Sequence, residues 1–180
     1  DKLKAYFDCA KLAQESVIIH KGPLSVHCKD HKIEIFWEDK LLTAGIGLNT
    51  QFRSLDKNYS ALNGHWAIHK ENRDEIIIKI SWHERPLLKQ ALRLNLQNDD
   101  AILLEVVMDI DQNMLMKNRQ TELVLSEGYE KWITLDEKGG FDRLEKKGGV
   151  VILDKYINTL IGVEKVEKKD NCILPGAIFY

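Results

Sequence analysis

Between Glu75 and Leu125 apolar residues recur two apart in four consecutive runs, Glu75–Trp82, Leu92–Gln97, Ala101–Ile110 and Thr121–Leu125, and this period predicts four strands. In the second run Leu92, Leu94 and Leu96 share one face and Arg93, Asn95 and Gln97 the other, as expected where one side enters a core and one meets something polar. The turn that follows tests the register. A three-residue loop, Asn98-Asp99-Asp100, pairs Leu96 with Ile102, Leu94 with Leu104 and Leu92 with Val106, and sets Arg93 beside Glu105 on the other face. A two-residue loop would drive Glu105 into the core, so a loop of three or five residues is predicted.

Upstream, Leu24–Cys28 and Ile33–Trp37 flank the polar turn Lys29–Lys32 and predict a hairpin pairing Cys28 with Ile33, Val26 with Ile35 and Leu24 with Trp37. Leu41–Leu48 predicts a short strand in which Gly45 and Gly47 permit a bulge, and Asn49–Gly64, without clear periodicity, reads as a long polar loop, either a solvated connection or a binding loop. His65–His69 is a strand with Trp66 and Ile68 on one side and His65, Ala67 and His69 on the other. Leu88 and Gln90 share the parity of Leu92, so that strand begins early, with Pro86 near its start.

Downstream, Met114–Ser126 keeps Leu115, Lys117, Arg119, Thr121, Leu123 and Leu125 in phase. Asp136–Gly149 is polar and glycine-rich and reads as a mobile excursion. Val150–Leu153, Thr159–Val163 and Ile173–Tyr180 supply late strands, the last an edge because it contains Pro175. Helical spacing appears only from Leu3 to Val17, through Leu3, Tyr6, Phe7, Ala10, Ala13 and Val17. The predicted organisation is a helix and linker over residues 1–22, followed by one mainly-β domain over 23–180. Hairpin-linked strands make that domain an antiparallel β-sandwich or barrel, and Gly45-Ile-Gly47 lacks the third glycine and following helix of a dinucleotide site.

Composition then narrows the function classes. The 26 basic and 28 acidic residues are mixed along the chain and leave a net charge of -2, which lacks the basic footprint of a nucleic-acid binder. No apolar run approaches the ~18 residues of a membrane span, and the charged N-terminus has no signal-peptide core, so a soluble, cytoplasmic protein without a membrane partner is expected. Cys9, Cys28 and Cys172, an odd number at no zinc or redox spacing, agree with a reducing compartment. A chain that starts at Asp1 and stops inside the apolar run Ala177–Tyr180 is expected to be a domain of a longer protein, with a neighbouring domain as a partner.

No catalytic signature emerges. His65 and His69 lie ~13 Å apart on one strand, too far to share a metal ion, and Glu105 and Asp109 are equally separated. His27, Cys28 and His31 straddle the first hairpin turn, where two of them can approach, but no fourth ligand is marked, and Ser126 lacks the glycine-flanked context of a nucleophile elbow. No metal, cofactor or catalytic residue is therefore assigned. Trp37, Trp66 and Trp82 share the parity of neighbouring isoleucines and are expected in the core; Trp132, outside a clear strand, is the remaining candidate for an exposed sugar platform.

The succession from Thr43-Ala-Gly-Ile-Gly-Leu48 through Phe52-Arg53, His65-Trp-Ala-Ile68, Pro86-Leu-Leu-Lys-Gln90, Leu92-Arg-Leu-Asn-Leu96 and the acidic-apolar third strand to Tyr129-Glu-Lys-Trp132 resembles the large galactose-mutarotase-like β-sandwich modules of carbohydrate-active enzymes and glycan-assembly proteins. The resemblance spans residues 24–180 and implies a super-sandwich that serves as an accessory, carbohydrate-associated module. Catalytic mutarotases place a histidine and a glutamate on the concave sheet as acid and base, and no motif here assigns either. The expected function is a non-catalytic module that binds or positions a glycan for a neighbouring catalytic domain, the alternatives being a small epimerase-like enzyme using His65 or His69 with Glu105, or a ligand-free spacer. Arg53, Asn63, His65, His69, Arg93, Asn95 and Glu105 are the residues expected around one concave surface, since such side chains supply donors and acceptors for sugar hydroxyls.

Overall fold

β-Branched and leucine-rich runs with alternating burial build nearly all of the described chain. The computed structural model describes residues 16–54, 57–110, 114–135, 137–141, 146–147, 150–151, 161–167 and 173–179. Within them the protein is mainly β, in three sheets that are largely antiparallel, and the chain divides into two compact units, residues 1–124 and 125–180.

The first unit holds two sheets. One contains β1 (Val17–Lys21), β2 (Leu24–Lys29), β3 (Lys32–Trp37), β4 (Lys40–Leu41), β5 (Thr43–Ser54) and β6 (Lys57–Ser60), and takes in the later strand 116–125; the other consists of β7 (His65–Lys70), β8 (Glu75–Trp82), β9 (Arg85–Asn98) and β10 (Ala101–Ile110) in the order β10-β9-β8-β7. The strand Met116–Leu125, β11, lies beside β5 in the first sheet, whose main order is β1-β2-β3-β5-β11. Ile19, Val26, Cys28, Ile33, Leu48 and Phe52 of the first sheet and Trp66, Ile76, Ile78, Ile80, Leu88, Leu92, Leu94 and Leu96 of the second form one apolar cluster. Complete burial of each leucine stabilises by ~2 kcal/mol relative to exposure. Burial also pushes the Cys28 thiol up from 9.0 to about 12, so the group is a neutral packing element rather than a nucleophile.

Both predicted registers hold, with tighter turns. Cys28 pairs with Ile33, Val26 with Ile35 and Leu24 with Trp37, and the strands continue to Lys29 opposite Lys32. The turn is then only Asp30-His31, both at positive φ (49° and 60°), as the right-handed strand twist demands of a two-residue hairpin. Leu96 faces Ile102, Leu94 faces Leu104, Leu92 faces Val106 and Arg93 faces Glu105. Here Asn98 pairs with Ala101, leaving a two-residue loop instead of three, and a bulge between Ala101 and Ile102 absorbs the odd residue so that Glu105 stays outside.

Several expectations are corrected. The segment 49–64, read as a loop, continues β5 to Ser54, forms β6, and ends in a 3-10 turn at Ala61–Asn63. Its periodicity is diluted because the inward positions alternate Leu48, Thr50, Phe52 and Ser54, all buried, so hydroxyls stand where apolar residues were sought. Gly47 starts this stretch at φ 68°, and a Cβ there would sit 1.9 Å from the Ile33 carbonyl oxygen, so only glycine allows β3 and β5 to approach. In β11 the single phase predicted from Leu115 to Leu125 breaks at Asn118 (φ 50°): Met114 and Met116 pack on the core before it and Leu123 after it, while Leu115 is 59% exposed. Val17–Lys21, taken as helix end and linker, is β1, with Val17 opposite Cys28 and Ile19 opposite Val26. The helix expected from Leu3 otherwise falls on residues 1–15, outside the described ones.

The second unit contains a sheet of β12 (Lys131–Thr134), β13 (Lys138–Gly140), β16 (Ile161–Val163) and β19 (Ala177–Phe179), in the order β13-β12-β16-β19. Two ribbons accompany it: β14 (Lys146–Lys147) with β15 (Val150–Val151), and β17 (Val166–Glu167) with β18 (Ile173–Leu174). The predicted excursion 136–149 therefore contains β13 and β14, while residues 136, 142–145 and 148–149 lie outside the described ones. β19 is an edge of its sheet, as predicted for the last strand. Tyr129 donates its hydroxyl proton to the Pro175 carbonyl at 2.8 Å, and partial burial raises its phenol pKa.

Candidate functional site

The outward side of the second sheet is organised in rows that follow from its registers. One row runs His69, Ile77, Arg93, Glu105 across β7 to β10; the next contains Glu75, Asn95 and Leu103. On the other side lie Ala67, Lys79, Ala91 and Val107, and then His65, Ser81, Lys89 and Asp109. The inward leucines of β9 force this display, because Arg93 and Asn95 alternate with Leu92, Leu94 and Leu96.

Arg93 is the centre of the polar group. Its Nε donates to Glu75 Oε1 at 2.9 Å and a terminal nitrogen donates to Glu105 Oε2 at 3.3 Å. Asn95 Oδ1 accepts from Gln97 Nε2 at 3.0 Å in the same neighbourhood. Two carboxylates around one guanidinium leave a net negative cluster, which disfavours an anionic ligand and retains acceptors for hydroxyl donors.

Of the seven residues expected on one surface, Arg93, Asn95 and Glu105 are brought together. His69 shares their row, two strand spacings or ~10 Å from Arg93. His65 lies one row beyond Ala67, exposed, with its ring 6.2 Å from that of His83. Asn63 sits in the 3-10 turn, where its Oδ1 accepts from the Ser60 backbone at 3.1 Å and from Trp82 Nε1 at 3.0 Å; it holds the turn. Arg53 belongs to the other sheet, exposed on β5 opposite Asn58, while its neighbour Phe52 enters the core. Parity places a side chain on a face of its own sheet, and it carries no information about which sheet that is.

The epimerase alternative needs a histidine and Glu105 to converge. His69 and Glu105 are three strand spacings, ~14 Å, apart at the backbone with Ile77 and Arg93 between them, and His65 aligns with Asp109 instead. The aromatic platform is also revised. Trp132 is 6% exposed, its indole nitrogen donating to the Gly140 carbonyl at 3.3 Å beneath β13. Trp66 and Trp82 are buried as expected, and Trp37 packs partly buried against the cluster.

Glu75 and Gln97 are not among the seven residues expected from the sequence, although Gln97 shares the face of Arg93 and Asn95 and Glu75 opens its strand directly opposite Asn95 in the register. A buried polar link was missed as well. Thr50 Oγ1 donates to Gln90 Oε1 at 2.8 Å inside the core, joining β5 of one sheet to β9 of the other, and Gln90 Nε2 reaches Met108 Sδ at 3.2 Å. The signal was present in the parity of Gln90, which sits in phase with Leu88 and Leu92. Comparisons with family models, with curated proteins and with solved structures return no significant match.

Proposed function

We propose that the chain is a non-catalytic β-sandwich module that binds or positions a glycan for a neighbouring catalytic domain, using the outward side of the four-stranded sheet. The observation that carries this reading is the ordered cluster of Glu75, Arg93, Glu105, Asn95 and Gln97. Side chains held by one another cost little further entropy when a ligand arrives, and amide, guanidinium and carboxylate groups together can meet hydroxyls as donors and acceptors. Internal charge pairing favours a neutral, hydroxyl-rich ligand over a phosphate or sulfate. The sandwich architecture is supported by the single apolar cluster drawn from two sheets, and the galactose-mutarotase-like affiliation by the strand succession quoted above. A non-catalytic role is favoured because neither His65 nor His69 converges with Glu105 across the sheet.

The test is a glycan array with the 180-residue chain, followed by calorimetric titration of the oligosaccharides retained. Arg93→Ala and Asn95→Ala are expected to weaken binding about tenfold each, ~1.4 kcal/mol, and Arg53→Ala to leave it unchanged. Absence of any bound glycan, or loss of binding only in Arg53→Ala, would refute the proposal.

A further inference from the structure

The two edges of the second sheet are unlike. β7 is six residues long and carries His65, His69 and Lys70, the sort of charged, short edge that resists strand addition. β10 is ten residues long, Ala101–Ile110, and contains no lysine, arginine, proline or glycine. Among the described residues it pairs with β9 alone. Apolar side chains are left uncovered on both of its faces: Leu103 is 48% and Val107 57% exposed on the outward side, and Val106 is 41% exposed on the side of the core. Ile102, Leu104, Met108 and Ile110 are only partly buried on that same side, so the apolar layer reaches the last strand of the sheet with its side chains half open. A further strand would cover both rows.

The charges of β10 leave room for an identical strand there. Glu105 is paired with Arg93, and Asp109 stands opposite Lys89 in the register, so both acids already face bases within their own sheet and call for no basic partner. An identical edge therefore meets no net repulsion, provided the acids do not oppose each other. Antiparallel pairing about a two-fold axis keeps each residue on its own face, and so requires opposed residues of the same parity. Two registers then retain the most overlap. Centred on Glu105, the pairing sets the two Glu105 carboxylates against one another; centred on Val106, it sets Glu105 opposite Val107, Leu103 opposite Asp109 and Ile102 opposite Ile110.

We propose that β10 pairs antiparallel with β10 of a second copy of this chain, centred on Val106, so that two four-stranded sheets become one continuous sheet across a two-fold axis. This pairing is isologous and closes at two copies, and it does not depend on the glycan reading. A single strand pairing is a small interface, so association is reversible and roughly micromolar.

Sedimentation of the 180-residue chain from ~1 to ~500 μM tests it, with circular dichroism confirming that each variant is folded. The parent is expected to show a reversible monomer–dimer equilibrium. Val107→Glu places a carboxylate opposite Glu105 of the second copy and should weaken the dimer at least tenfold, whereas Val107→Lys places an ammonium there and should tighten it. A parent that stays monomeric throughout, equal association of the two variants, or growth beyond the dimer would overturn the proposal.

Discussion

The hydrogen bond between Thr50 and Gln90 offers a quantitative test of how the two sheets of the first unit share a core. Thr50 is 2% and Gln90 4% exposed, and the hydroxyl reaches Gln90 Oε1 at 2.8 Å. Thr50→Val keeps the side-chain shape but leaves that oxygen buried without its donor, a loss of about 1–3 kcal/mol. Gln90→Leu leaves the threonine hydroxyl without its acceptor, and should cost a similar ~1–3 kcal/mol, partly offset by the added apolar contact. The contact from Gln90 Nε2 to Met108 Sδ contributes less, since a thioether is a weak acceptor. In the double variant no orphaned group remains, so its loss should fall below the sum of the single losses by ~1–3 kcal/mol. Urea unfolding of the parent and three variants at constant m-value provides the cycle. Losses additive to within ~0.5 kcal/mol would refute a hydrogen bond across the core.

Two further outcomes follow from burial. Leu94, fully buried between Ile76 and Leu104 in the register, should lose ~2–5 kcal/mol on replacement by alanine, and Asn95→Ala less than ~1 kcal/mol; equal losses measured by denaturation would mean that the faces of β9 are exchanged. The folded Cys28 thiol keeps its proton to about 12 whereas the unfolded one loses it near 9.0, so its contribution to stability is fully present below pH 9 and lost as pH rises through about 12. Denaturation series in that alkaline window should therefore show a shallower decline for Cys28→Ala than for the parent, and parallel curves would contradict a neutral buried thiol.

Parity made the registers of β2 with β3 and of β9 with β10 legible, because a one-residue slip would have moved Cys28, Ile33 or Glu105 to the wrong face. It failed where the backbone leaves regular extension. Gly47 and Asn118, both at positive φ, reset the phase of β5 and β11, and a hydrophobicity pattern records no φ. In β5 the inward hydroxyls of Thr50 and Ser54 disguised a strand as a loop. Trp132 stayed open as a platform for lack of length: a strand of four residues shows too few alternations to reveal its inner face. For the site, adjacency within one sheet was readable and gave Arg93 beside Glu105. Membership of different sheets was not, which is why Arg53 stands apart and Asn63 is occupied by the Trp82 indole.

The ligand-binding role of the outward sheet face is tested most directly by residue-resolved amide shifts during titration with oligosaccharides. The account predicts saturable shifts centred on Glu75, Arg93, Asn95 and Glu105, diminishing toward His65 and, with the fold intact, needing about tenfold more sugar in Arg93→Ala. Shifts confined to the first sheet around Arg53 or to residues 125–180, or no shift with any sugar, would contradict it.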